Sequence, residues 1–305
     1  MTDLRCSDEA RRRGDPLVGT APPARRWLLL EQDMGWSSAA FDGMRLDPEV
    51  KQAVATAAAA AGARIMLIRR PGRRTSPVCL EHSWCVVDAG AADPVVWGSW
   101  SYDDDLDSAV HLLSERAGGG SAPPPVRAPA REPELLLVCT HGRHDVCCAT
   151  RGRPVAAALA RRWPEATWEC SHTGGDRFAA NVVVLPDGVA YGGLDPDSAL
   201  DVVTGHHRGA PSAAHLRGVA GHPPAVQAAV VAVHEQHGPL SWGAVHPERV
   251  TTQDDVHHVV VRTPTGLLEV TVQEQVTPAR QLTCRAPALG RAMVPVVSRV
   301  RTISA

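Results

Sequence analysis

Residues 117–134, AGGGSAPPPVRAPAREPE, decide how the rest of the chain can be partitioned. The segment combines glycine, proline and charge without apolar periodicity, so it can join packed elements but cannot be one. It separates an N-terminal α/β module (1–116) from a second module (134–210), with the linker itself at 117–133 and a further unit at 211–305. At about 150 residues per domain, a chain of 305 accommodates this division.

The first module reads as strand Trp27–Gln32, helix Asp47–Ala61, then strands Ala63–Arg69, Trp84–Asp88 and Val95–Trp100, and helix Leu106–Glu115. Asp47 suits the N-cap and Pro48 the first helical turn. The second module repeats the order: strand Glu134–Cys139, helix Pro154–Trp163 with its proline at the first helical position, and strand Thr167–Cys170. Strands Asn181–Leu185 and Val189–Gly192 follow, turned at Pro186-Asp187-Gly188, and helix Asp197–Thr204 closes the unit. The order β-α-β-β-β-α is that of thioredoxin-like folds, and its recurrence suggests two diverged copies. The last unit offers helix Pro223–His237 and a hairpin of Val256–Arg262 and Leu267–Gln273. The expected class is therefore α/β: thioredoxin-like modules, each a mixed sheet flanked by helices, plus a small C-terminal α+β unit.

Composition excludes several classes. A net charge of −2 gives no electrostatic footprint for nucleic acid. The opening MTDLRCSDEARRRGDPL lacks the apolar core of a secretory signal, and no run approaches the ~20 apolar residues that span a bilayer. A cytoplasmic location is expected. Eight cysteines in such a reducing compartment are poor disulfide candidates. Cys79, Cys85 and Cys284 read as small buried hydrophobes and Cys6 as part of a polar tail. Cys139, Cys147, Cys148 and Cys170 fall within 32 residues and need another explanation.

Cys139 ends a strand, and Cys147 and Cys148 lie on the loop or first turn entering the helix that follows, where thiolates gain from free backbone N–H groups. Cys170 and His172 are two apart at the end of the next strand, a spacing that puts side chains on one face of an extended chain. Gly174 and Gly175 then let the backbone turn tightly beside a bulky ligand. Soft thiolate and imidazole donors suit zinc, copper or an iron–sulfur cluster, and no C-x2-C pair of a zinc ribbon is present. His141 and His144 lie on the same loop, and Arg143, Arg151, Arg153 and Arg177 are close enough in sequence to offset a cluster's charge.

Cys139 and Cys148 at C-x8-C, followed by His172-Thr-Gly-Gly-Asp176-Arg-Phe-Ala-Ala-Asn, resemble the sucrase/ferredoxin-like family, as does Gly19-Thr-Ala-Pro-Pro-Ala-Arg-Arg-Trp-Leu-Leu. The resemblance implies a [2Fe-2S] cluster and electron transfer to or from a redox partner protein; no pair of catalytic carboxylates supports a glycosidase. Family members pair two cysteines with an H-x3-H motif, whose second histidine is Asp176 here. A carboxylate is a hard ligand for a sulfide-bridged iron. The expected ligands are therefore Cys139, Cys148, Cys170 and His172, with Cys147 as the alternative, and Asp176 either holding His172 by a hydrogen bond or ligating itself. Two other readings remain open: a thioredoxin-like thiol oxidoreductase, and a structural zinc protein.

Overall fold

A computed structural model describes residues 5–33, 35–72, 81–117, 135–238, 240–241 and 243–304. Most of the linker at 117–133, and Cys79, lie outside them.

A short helix, α1 (Cys6–Arg13), precedes the first α/β path: β1 (Arg26–Glu31), α2 (Pro48–Ala60), β2 (Ala63–Arg69), β3 (His82–Asp88), β4 (Val95–Trp100) and α3 (Asp107–Ala117). The same path then recurs as β5 (Leu135–Cys139), α4 (Val146–Arg162), β6 (Thr167–Cys170), β7 (Val182–Leu185), β8 (Val189–Tyr191) and α5 (Pro196–His207). In each copy the first two strands pair in parallel, the third adds antiparallel to the first, and the fourth adds antiparallel to the third. A helix supplies the parallel crossover, as such a connection requires.

The two copies share one sheet of order β4-β3-β1-β2-β6-β5-β7-β8, extended by β9 (Leu216–Val219). Their joint is an antiparallel overlap of two residue pairs, Ile68 with Cys170 and Arg69 with Glu169. It is close to two-fold symmetric. Gln32 N–H donates to Ile68 O at 2.9 Å, and Thr140 N–H donates to Cys170 O at 3.1 Å. Cys139 and Cys170 of the second copy thus correspond to Glu31 and Ile68 of the first, and the C-terminal strand ends of both copies meet at the centre.

Alternate residues divide the sheet into two faces. Leu28, Leu30 and Leu67 pack under α2 and α3, and Leu136 and Val138 under α4 and α5. Leu29, Met66 and Ile68 join Leu137, Cys139, Trp168 and Cys170 in a core on the opposite face. The C-terminal unit adds α6 (Pro224–His237) and an antiparallel sheet, β10 (His246–Gln253), β11 (Val256–Thr263), β12 (Gly266–Val276) and β13 (Met293–Ile303). Val259, Val261, Leu268, Val270 and Val272 pack toward α6. Among the described residues no helix is long and apolar enough to cross a membrane.

Three expectations need correction. Cys6 is no tail residue: it opens α1 and is fully buried. Helix α4 starts at Val146, not Pro154, because the Asp145 carboxylate accepts the Cys147 N–H at 2.8 Å and caps the helix eight residues earlier. Pro154 lies inside the helix. Strands β10 and β13 escaped notice because their largely solvent-facing or mixed patterns lack a clear alternation, and β9 because its four buried residues include Arg217 and Gly218.

Gly152 lets α4 seat on β5: a Cβ there would stand 2.1 Å from the Cys139 carbonyl oxygen. Gly152→Ala should therefore lower stability by about 1–3 kcal/mol through overpacking, read as a shifted denaturation midpoint at unchanged slope. An unchanged midpoint would show that the helix can lift without cost.

Candidate metal centre

Cys139 is the last residue of β5 and Cys148 lies in the first turn of α4, with 0–1% of either exposed. The loop between them folds back so that the two thiols meet. Their ligand atoms and one ring nitrogen of His172 all lie within 4.8 Å of one another. His172 follows β6 and is held from behind by Arg64, whose Nη2 donates to its carbonyl at 2.6 Å.

Asp176 joins both kinds of donor. Its Oδ1 is 2.9 Å from His172 Nδ1 and accepts from the Cys148 thiol at 3.2 Å. The path from His172 to Asp176 depends on Gly174 and Gly175, at φ of 95° and 77°. At Gly175 a Cβ would stand 2.5 Å from Arg217 Nη2. Arg217, on β9 and almost wholly buried, braces this turn: its Nη1 donates to Gly174 O at 3.0 Å and to Asn181 Oδ1 at 2.9 Å.

The charges are arranged for anionic sulfur. A hydrogen bond from Cys148 outweighs burial and, with His172, holds the Cys139 thiol well below its ordinary range. Cys148 is raised by the same bond and by burial. Burial opposes charge on His172, but Asp176 and Cys139 outweigh it and push the imidazole up to about 9. Asp176 is lowered, its burial outweighed by His172. Among the arginines, Arg64 and Arg217 face Cys139. Those picked out by sequence proximity are engaged elsewhere or point outward: Arg151 pairs with Asp8, Arg177 lies toward Asp15, and Arg143 and Arg153 are exposed.

Cys170 joins none of the three groups of potential ligands among the described residues. It pairs in register with Cys139 and shares the apolar cluster of Leu137, Trp168, Cys139 and Cys148, and burial raises its thiol well above the usual range. The two-residue alternation fails to align it with His172 because β6 stops at Cys170. Beyond it, Ser171 turns to its own partners, donating its N–H to Leu67 O at 2.8 Å and accepting the Leu67 N–H at 3.0 Å.

His144 takes the place beside His172 instead. Their rings stack at 3.7 Å between centroids, and His144, His172 and Asp176 form a second group of converging donors. His141 is held apart by a 2.7 Å contact from Nε2 to Ser37 O. Both His144 and His172 line a cavity of about 550 Å³ that also touches Phe41, Ala58 and Arg64, between the two copies.

Cys147 does not join its neighbour's group. It meets Cys6, Cys284 and Asp145, donor atoms again within 4.8 Å. Hydrogen bonds from Cys6 and Ser7 outweigh burial and bring Cys147 down to about 6, while burial pushes Cys284 up to about 11. No sequence spacing pointed to this group, since Cys6 and Cys284 are remote from Cys147 in the chain.

The sucrase/ferredoxin-like family model matches residues 17–218, about two thirds of the chain. The chain belongs to the sucrase/ferredoxin-like family. No curated protein and no solved structure matches it. The matched region contains both copies of the α/β path and every residue of the Cys139 centre, and the cysteine, histidine and carboxylate donors there could hold a metal.

Removing a thiol from this centre should therefore abolish its metal binding. Cys139→Ser and Cys148→Ser are expected to bind none there, and Cys85→Ser, in the core of the first copy, to bind as the parent does. Metal analysis of the folded variants checks this; an unimpaired Cys148→Ser would exclude the centre.

Proposed function

We propose that the protein is an electron carrier whose Cys139 centre holds a [2Fe-2S] cluster. The observation that carries this reading is the convergence of two buried thiols with a partly exposed histidine at the C-terminal ends of paired parallel strands. The donor set fits: thiolates and imidazoles are the ligands of such clusters, including those with two histidines on one iron. Cys139 and Cys148 would take one iron. His172 would take the other together with His144, its stacked neighbour, in preference to the core-bound Cys170.

Bound there, the cluster would supply one-electron transfer. The chain's own part is to hold and tune it. Asp176 fixes the orientation of His172 from its Nδ1 side, as carboxylates commonly do for metal-bound histidines. Arg64 and Arg217 offset sulfur's negative charge. The buried cysteine side excludes water, and the histidine side reaches the cavity between the copies, where a redox partner protein would approach.

A thiol oxidoreductase reading draws on the hydrogen-bonded pair Cys139 and Cys148, with its stabilised thiolate. Against it, both sulfurs are sealed from solvent, which denies a disulfide substrate its attack.

Protein purified anaerobically should be coloured, bleach with dithionite, and contain about two irons and two acid-labile sulfides per chain. Iron-replete protein with zinc instead of iron bound to Cys139 and Cys148 would overturn the proposal. Variants decide the fourth ligand. His144→Ala should lose or strip the cluster, whereas Cys170→Ser should keep it. The reverse pattern would return that position to Cys170. Asp176→Asn should retain the cluster, with affinity reduced about 10–100-fold as expected of a lost outer hydrogen bond.

A further inference from the structure

The geometry points to a second metal site, for zinc, formed by Cys6, Cys147 and Cys284 with Asp145. It lies outside the Cys139 centre and uses different side chains, although Cys147 and Cys148 are neighbours. Consecutive helical residues point about 100° apart, so one helix start can serve two sites.

The sulfurs are placed as for one small ion. Cys6 Sγ is 3.7 Å from Cys147 Sγ, and Cys147 Sγ is 3.3 Å from Cys284 Sγ. A tetrahedral zinc with Zn–S of about 2.3 Å sets its sulfurs about 3.8 Å apart. Two cysteines on one iron of a [2Fe-2S] cluster would stand as close, but a third would have to reach the other iron, so three sulfurs and a carboxylate oxygen all within 4.8 Å of one another suit a single ion. Asp145 Oδ2 completes the group at 3.7 Å from Cys6 Sγ.

The surroundings favour bound thiolates. The Cys6 N–H, at the start of α1, donates to Cys284 Sγ at 3.3 Å. Asp145 is fully buried, yet its carboxylate accepts from neutral groups: the N–H of Cys147, the N–H of Cys284, the hydroxyl of Thr283 and the thiol of Cys6. Among the described residues no cation lies within ion-pair distance of it. A buried carboxylate, two buried thiols and the half-buried Cys284 thiol thus converge on one space, and a divalent cation would balance the negative charge of the carboxylate and the ionised thiolates. Three cysteines serving only as small hydrophobes would gain nothing from a buried carboxylate in their midst.

The site would also tie the chain together. Cys6 comes from α1, Cys147 from α4, and Cys284 from the loop between β12 and β13, so the ion would clasp the N-terminal helix and the C-terminal unit to the core. Zinc in such closed sites contributes directly to folding.

The test is metal analysis of the full-length protein and its variants. The parent should carry about one zinc per chain in addition to its iron. Cys6→Ser and Cys284→Ser should lose the zinc but keep iron and visible absorption, and Cys139→Ser should lose iron but keep zinc. This crossed pattern separates the present inference from the cluster reading, since either can fail alone. Parent protein that takes up no zinc after reducing, zinc-replete refilling would overturn the inference without any variant. So would zinc retained in both Cys6→Ser and Cys284→Ser, or a disulfide between two of these cysteines in anaerobically isolated protein. Chelation of the zinc should raise amide exchange in residues 6–13 and 277–292 while strands β5 and β6 stay protected; unchanged exchange there would also overturn it.

Discussion

Two residue pairs between β2 and β6 carry the architecture. So short an overlap supplies few ladder hydrogen bonds, and the joint is reinforced by side chains. Arg69 and Glu169 form an ion pair at 2.6 Å, and the Thr140 hydroxyl donates to the same carboxylate at 3.0 Å. Glu169 is nearly buried, so it needs both partners: a buried charge that loses its partner typically costs about 3–5 kcal/mol. Arg69 in turn lies over the Trp36 ring at 4.3 Å. The loops that follow β1 and β5 are thereby pressed against each other, and the Cys139 centre sits at their meeting point.

That location explains the gradient across the centre. Its cysteines come from a strand end and a helix start covered on all sides, whereas its histidines come from the loops facing the cavity between the copies. Among the described residues, only the second copy gathers such donors at its strand ends. At the equivalent positions the first has Glu31, which accepts the Ser83 N–H at 2.9 Å, and Ile68. One copy keeps the donors; the other supplies a wall, through Ser37, Phe41 and Arg64. A single module would leave the histidines in open solvent.

Helix α4 is the second point on which much depends. Asp145 caps it, and the early start directs Cys148 toward Cys139 while Cys147 turns toward Cys6 and Cys284. The same carboxylate accepts hydrogen bonds from Thr283 and Cys284, so the cap of one helix also fixes the C-terminal unit. Gly152 permits the close approach of this helix to the Cys139 carbonyl. Any shift of α4 would therefore be felt at both groups of cysteines.

The amino-acid sequence alone determined the repeated β-α-β-β-β-α order, because apolar runs, caps and Pro/Gly turns are local signals. It also marked Cys139, Cys148 and His172, whose spacing around a strand end, a helix start and a glycine turn is local too. Tertiary structure decided the rest. It joined the two copies into one sheet, since strand pairing between β2 and β6 leaves no periodicity in either strand. It set Cys170 in the core and His144 against His172, because the end of β6 is fixed by Ser171 and Leu67 rather than by residue spacing. And it gathered Cys6, Cys147 and Cys284 from three remote segments, a convergence that depends on how helices and sheets pack and that no stretch of sequence encodes by itself.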